Sequence, residues 1–145
     1  MTEENVLIAL NIMLTILCIY LYRQNNRCSY TKLLNKAQFN KDIKRRKDDM
    51  IVLIDIDKLK LINDTHGHAF GDVVIQGVSD VVRNSIRFSD RAYRIGGDEF
   101  AIITSDASVG DRIKVALGDI RVSVGCGKTY EEADAAMYKC KVIVK

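Results

Sequence analysis

Acidic side chains set beside bare backbone are the chemistry this sequence offers first. Asp98 and Glu99 follow two adjacent glycines, Gly96 and Gly97, within the run Arg94-Ile-Gly-Gly-Asp-Glu-Phe100. Ala92, Tyr93 and Ile95 precede the glycines and Phe100 to Ile103 follow, so the pair reads as a hairpin turn that uses positive φ. The missing side chains let a large ligand approach the backbone, and the two carboxylates suit a divalent cation carrying a nucleotide phosphate. A plain glycine turn with solvated acids fits the same residues. Upstream, Asp55 and Asp57 lie two apart in Met50-Ile-Val-Leu-Ile-Asp-Ile-Asp57, which puts both on one face of a strand. A carboxylate in such an apolar run is costly unless it is paired or holds a metal; a strand that stops at Asp55 leaves both acids in water instead. Between these stretches, Lys60 can reach a phosphate. Asn63 offers donor and acceptor, and Asp72 can accept from two N–H groups, as a guanine edge requires. Each also has an ordinary reading, as surface lysine or helix cap. His66 and His68 flank Gly67, but two histidines without a third ligand are weak evidence for a metal centre; they read as supporting or capping groups. Arg87 and Asp90, taken alone, are a surface ion pair.

Periodicity supplies the elements that would position these groups. Asn35 caps a helix carrying Ala37, Phe39, Asn40 and Ile43, and Lys44 to Asp49 is a solvated charge run. Met50 to Ile56 is a buried strand. Asp72 to Arg87 is a helix with Val74, Val78, Val81, Ser85 and Ile86 as its apolar stripe and Asp72 as its cap. After the hairpin come a helix over Ala107–Leu117 and a strand over Asp119–Gly125. A helix over Thr129–Lys141 follows, opened by the capping box Thr129 to Glu132, and then a short strand at Val142–Val144. This order predicts an α+β domain of the ferredoxin-like or palm class, its central, mostly antiparallel sheet flanked by helices.

The chain has 145 residues, room for one domain, with 48% hydrophobic content and a net charge of +3, which leaves no footprint for a nucleic-acid polymer. Cys18, Cys28, Cys126 and Cys140 form no Cys-x-x-Cys pair and read as reduced thiols. Residues 6–22 carry no charge; at about 1.5 Å per residue they reach roughly 26 Å, close to a bilayer core of about 30 Å. The run is apolar all round apart from Asn11 and Thr15, unlike a core helix. It lacks a basic start and a small-residue cleavage site, unlike a signal peptide. It therefore predicts a membrane helix at residues 5–23 and a polar linker at 24–34, with the domain at 35–145. Glu3 and Glu4 lie before the span and Arg23, Arg27 and Lys32 after it, so the domain is expected on the cytoplasmic side of a single-pass inner membrane protein. Asn11 offers a hydrogen bond across a helix pair.

Together these pieces resemble the GGDEF family, the diguanylate cyclases. The resemblance rests on Arg94 to Phe100, on Ile54-Asp-Ile-Asp57 with Lys60, Asn63-Asp64, Gly67-His68 and Gly71-Asp72, on Ser123-Val-Gly125, and on Ala133-Asp134, Ala136-Met-Tyr138 and Lys141. It implies condensation of two GTP molecules to cyclic di-GMP and two pyrophosphates, in a homodimer whose protomers each bring one GTP. By position it implies that Asp55, the Ile56 carbonyl and Asp98 hold Mg²⁺ (or Mn²⁺). Asp98 also helps deprotonate the 3′-hydroxyl, and Glu99 is a further essential acid. Asn63 and Asp72 read guanine with His68 nearby, Gly96 and Gly97 lie against the substrate, and the Leu59 backbone, Lys60 and Lys141 contact phosphates. Arg87 and Asp90 stand at the family's inhibitory site for the cyclic di-GMP product.

Departures accompany the match. The family opens with Asp-x-Leu-Thr-Gly-Leu-x-Asn-Arg-Arg, whereas this chain reads Cys28-Ser-Tyr-Thr-Lys-Leu-Leu-Asn-Lys-Ala37; Lys36 takes the place of the first Arg. Only 22 residues separate Phe100 from Ser123, so a helix or hairpin is trimmed. The final Gly-Arg-Asn is missing, with Lys145 available in place of its Arg. The short domain leaves two alternatives open: a minimal palm-type cyclase making another cyclic di- or oligonucleotide, and a non-catalytic cyclic di-GMP receptor.

Overall fold

The computed structural model describes residues 2–46 and 49–143. Its helices are α1 (Glu3–Asn25), α2 (Lys36–Asp42), α3 (Leu59–His66), α4 (His68–Ser85), α5 (Val109–Leu117) and α6 (Tyr130–Ile143). Its strands are β1 (Leu34–Asn35), β2 (Met50–Ile56), β3 (Arg91–Arg94), β4 (Glu99–Thr104) and β5 (Val122–Gly127). They form one sheet in the order β1-β3-β4-β2-β5, antiparallel except for the parallel β1–β3 pair. The expected α+β architecture with a mostly antiparallel sheet is what the chain adopts.

Alternation along β2 divides the core. Val52, Ile54 and Ile56 face Phe100, Ile102 and Val124 and are covered by α3, α4 and α5. Ile51 and Leu53 face Tyr93, Ala101 and Ile103 and are covered by Phe39 of α2 and by Ala133 and Met137 of α6. Asp55 belongs by parity to this second face. Gly125 lets α6 come down onto β5, since a Cβ there would collide with the backbone of Ala133 and Met137. Met137 and Lys141 are one helical turn apart, so the docking that buries Met137 also sets Lys141 over the end of β2.

Several local expectations are corrected. α4 begins at His68, with Gly67 at φ +85° in the capping position, so Asp72 lies in the second turn and caps nothing. The Gly67 hinge breaks what would otherwise be one helix into α3 and α4. Gly96 and Gly97 do not use positive φ: the connection from β3 to β4 is a four-residue loop, Ile95 to Asp98, wide enough to avoid it. Val142 continues α6 instead of starting a strand, because the helical hydrogen bonding runs on through Ile143; Val144 lies outside the described residues. Between β4 and β5 there is the single helix α5. Half of the capping box forms as expected, the Glu132 N–H donating to Thr129 Oγ1 at 3.2 Å, while Glu132 Oε2 reaches one residue further back and accepts from the Lys128 N–H at 2.8 Å.

The segment after α1 is tied to the domain. The Asn35 side chain donates to the Asn25 carbonyl at 2.7 Å and accepts from the Gln38 N–H at 3.0 Å, and the Asn35 N–H donates to the Asn26 carbonyl at 2.9 Å. None of α1's residues is buried; an 18-residue window within it has a mean hydropathy of 2.1, and it is long and apolar enough to cross a membrane. Asn11 donates to the Leu7 carbonyl within the helix.

Candidate active site

β2 and β4 pair so that Asp55 stands directly opposite Glu99. The loop before β4 is drawn onto the end of β2, where the Ile56 N–H donates to the Asp98 carbonyl at 3.1 Å. Asp55 and Asp98 therefore face one cavity of about 260 Å³, lined by Asp55, Ile56, Asp57, Leu59, Lys60, Asp98 and Lys141, among others. Residues separated by more than forty positions meet because two antiparallel strands put their ends side by side.

Charge in this cavity is unbalanced. Asp55 is only 6% exposed. Burial pushes its carboxyl above the ordinary carboxylate range; Lys141 pulls it back, and the fields of Asp98 and Glu99 add to the rise. Lys141 Nζ sits 2.8 Å from Asp55 Oδ2. Burial works against the ammonium, but its bond to Asp55 and the fields of Asp55, Asp98 and Glu99 outweigh that and hold it protonated more firmly than a free lysine. A cation is thus already paired with Asp55, within the fields of Asp98 and Glu99. Asp57 is engaged separately, accepting from Ser123 Oγ at 2.6 Å.

The donors fit a divalent ion. Two carboxylates with a strand-end carbonyl are hard oxygen ligands, the type Mg²⁺ takes when substrate phosphates complete its shell. Among the described residues no three His, Cys, Asp or Glu side chains close around a point, so the protein supplies an open half-site. Across the cavity, Lys58 adopts the left-handed conformation at φ 56° and turns the chain sharply into α3. The first N–H groups of α3, at Leu59 and Lys60, are capped by no side chain and form the cavity mouth, a suitable end for phosphate.

Asn63 and Asp72 come together through the α3–α4 contact. The Asn63 side chain lies over Gly71, the neighbour of Asp72, where a Cβ would collide with it. Asn63 Oδ1 is buried without a hydrogen-bond partner while Asp72 is exposed. His68 is exposed at the start of α4, and His66 stacks on Phe70 with ring centroids 5.0 Å apart.

Other candidates lie apart. Lys36 is at the first turn of α2 and lines a different cavity, about 490 Å³, with Arg27, Cys28, Arg94 and Gly96 among its walls. Gly96 is packed under Glu99, whose Oε2 would be 2.5 Å from a Cβ there, whereas Gly97 has open space. Arg87 and Asp90 do not form the ion pair expected of them. Asp90 turns inward and accepts from the Arg87 backbone N–H at 2.8 Å, and the Arg87 guanidinium pairs with Asp106 at 3.0 Å. A three-residue spacing after a helix end makes a turn, and the turn consumes the Asp. Lys145 lies outside the described residues.

Two features escaped sequence reading. Asp42 is buried among Gln38 Nε2 at 2.9 Å, Tyr93 Oη at 2.8 Å and Arg91 Nη1 at 3.0 Å. Burial opposes its charge, but these bonds outweigh the cost and hold its carboxyl below the usual range. Arg94, read only as a motif residue, donates to the Gly97 carbonyl at 2.6 Å and clasps the turn. Pairing of β3 with β1 and β4 creates both contacts, and no local spacing signals them.

The profile of the family described as "Diguanylate cyclase, GGDEF domain" matches residues 24–121. Among curated proteins, diguanylate cyclase DgcS of Shewanella oneidensis is 42% identical over 78 residues, 54% of this chain and 26% of that protein. Probable diguanylate cyclase DgcJ of Escherichia coli is 38% identical over 94 residues, 59% of this chain and 19% of that protein. The chain thus spans about a quarter or less of these relatives' length. A solved structure of the coiled coil and GGDEF domain of DgcB from Caulobacter crescentus in complex with c-di-GMP is similar, with TM-score 0.79 and 26% identity over 98% of this chain and 95% of that one. The DgcB GGDEF domain alone, also with c-di-GMP, matches with TM-score 0.75 and 28% identity over 83% of this chain and 90% of that one. By sequence and by fold, this chain belongs to the GGDEF domain family of diguanylate cyclases.

Proposed function

We propose that the chain is itself an active diguanylate cyclase, condensing two GTP molecules to cyclic di-GMP with release of two pyrophosphates. The observation that carries this reading is the buried Asp55, paired with Lys141 and set beside Asp98 in one cavity at the start of an uncapped helix, with Glu99 on the facing strand. A receptor that only binds the product has no use for so costly a cluster. Asp55, the Ile56 carbonyl and Asp98 would hold Mg²⁺ or Mn²⁺. Such an ion lowers the pKa of an attacking hydroxyl and neutralises phosphate charge. The protein's own part is positioning. The α3 N–H groups with Lys60 and Lys141 hold the triphosphate, and the Asn63 side-chain amide reads the base together with Asp72. Asp98 takes up the 3′-hydroxyl proton, with Glu99 beside it as a second acid. His68 lines the base side, and Gly97 leaves room for the ribose.

One protomer holds one GTP, so turnover requires a homodimer with facing sites. α1 anchors the chain in the membrane as a single span with the domain on the cytoplasmic side, and brings protomers together. Arg87 and Asp90 bind the product and slow the enzyme, which requires the Arg87–Asp106 pair to open. Lys36 and Lys145 supply further positive charge to phosphate.

The test is incubation of the full chain, in lipid vesicles, with GTP and Mg²⁺. Cyclic di-GMP and pyrophosphate are expected, both suppressed by chelator and by Asp55→Asn. Intact GTP with a folded dimer present would refute the proposal.

A further inference from the structure

The turn at Gly96–Asp98 has a second side. Arg94 is the clasp: one guanidinium nitrogen donates to the Gly97 carbonyl at 2.6 Å, the other to Cys28 Sγ at 3.8 Å, and the plane lies over the Tyr30 ring at 5.7 Å. Arg94 Nε is buried with no partner. The sulfur is built into a set of donors. The Cys28–Lys32 turn, closed by the Lys32 N–H on the Cys28 carbonyl at 2.9 Å and by left-handed Lys32 at φ 62°, points the Tyr30 and Thr31 amides at it. Thr31 has no exposed surface, and its hydroxyl, which faces the sulfur, forms no well-aligned hydrogen bond. Burial resists a thiolate here, but the Thr31 hydroxyl and amide, the Tyr30 amide and Arg94 together bring the thiol down to about 7. Access is open: Cys28 lines the cavity it shares with Arg27, Lys36 and Arg94, and a second one of about 270 Å³ with Arg23, Arg27 and Lys32. Neither wall carries an acid. The other two cysteines of the domain lack this setting: Cys140 is spent on the Val124 carbonyl at 3.3 Å, and burial and Asp111 raise Cys126; Cys18 lies in α1.

We infer that Cys28 is an oxidant-sensitive thiol whose conversion to a sulfenic acid by a small peroxide loosens the Gly96–Asp98 turn through Arg94. The thiolate sulfur attacks one peroxide oxygen, the O–O bond breaks with the attacked oxygen kept as the S–OH group, and the hydroxide that leaves takes a proton from the buffer and becomes water. The sulfur is oxidised and the peroxide reduced. The added oxygen is an acceptor that Thr31 Oγ1 and Arg94 Nε both lack, so it draws the guanidinium off the Gly97 carbonyl. In the proposed cyclase this lowers turnover, because Asp98 hangs on that loop. Cys28 occupies the position that the family's opening motif gives to Asp, so an ionisable acceptor is retained while a redox handle is added.

The test reads the modification and the turn directly, so its failure is distinct from failure of the cyclase reading. The full chain in vesicles is treated with hydrogen peroxide, trapped with a sulfenate-specific carbon nucleophile and mapped by mass spectrometry, with amide hydrogen exchange followed at residues 96–99. Labelling of Cys28 several-fold faster than of Cys126 and Cys140 is expected, with faster exchange in the turn and reversal by a thiol reductant. Thr31→Val should slow the labelling, and Cys28→Ser should remove the exchange response. Cys28 labelling no faster than Cys140, or labelling with exchange in the turn unchanged, would overturn the inference.

Discussion

Two charged clusters, one at each end of the β3–β4 hairpin's surroundings, differ in how their charges are settled. At the end of β2 Lys141 pairs with Asp55 alone, in the field of Asp98 and Glu99, and the Asp55 carboxyl is held above its ordinary range. Around Asp106 the reverse holds. This half-buried carboxylate receives Ser108, Arg112 and Arg87, and the Ser108 and Arg112 bonds hold its carboxyl well below the usual range. One cluster is short of positive charge; the other is satisfied, with Arg87 already committed to Asp106. The lesson is that an Arg and an Asp at motif spacing describe a place, while their partners describe its resting state.

The largest effect that would break this contrast is at Asp98. Asp98→Asn should lower cyclic di-GMP synthesis by at least about a hundredfold, beyond the loss typical of groups one step out from a metal. It should leave product binding unchanged in calorimetry, and loss of both would indicate misfolding. Next is the satisfied carboxylate Asp42. Replacing it by Ala strands the buried Tyr93 Oη, while the half-exposed Arg91 turns to water, and should cost about 2 kcal/mol in urea unfolding. Because the folded Asp42 carboxyl is held below its unfolded value, its contribution is present above the unfolded range and lost as pH falls through the folded one. The acid limb of stability below about pH 4 should therefore flatten in Asp42→Asn. Lys141→Met comes third. The pair is partly open to solvent, with 37% of the Lys141 side chain exposed, so about 1–2 kcal/mol is expected, discounted for screening. Unlike Asp42→Ala, this loss should be recovered by millimolar Mg²⁺, which a thermal melt in and out of Mg²⁺ would read. The smallest is Arg87→Ala, which breaks an exposed pair and should change stability by less than about 1 kcal/mol. It should nonetheless raise the cyclic di-GMP concentration needed to slow synthesis.

Much of the fold was legible where a single element carried its own signal. Met50–Ile56 is apolar except for Asp55 because β2 is central and covered on both faces. The Asn35 cap and the Thr129–Glu132 box announced α2 and α6 through local hydrogen bonds. What could not be read depended on pairing across the chain. The order β1-β3-β4-β2-β5 sets Asp55 against Glu99 and Tyr93 against Asp42, and neither meeting has a spacing to recognise. The two glycines of the turn were assigned left-handed backbone because a short hairpin needs it; the longer loop removes the need, and Glu99 packing on Gly96 supplies a different reason for a missing side chain. Asp72 had the composition of a cap, but the left-handed Gly67 starts α4 a turn earlier.

The central claim is that the unbalanced cluster serves GTP chemistry, and a competition measures it most directly. The full chain in vesicles receives an equimolar mixture of ATP, CTP, GTP and UTP with Mg²⁺, and the cyclic products are separated and weighed by mass spectrometry. The account predicts cyclic di-GMP with the other three nucleotides untouched. A mixed or adenine-containing product, or four intact nucleotides beside a folded dimer, would contradict it.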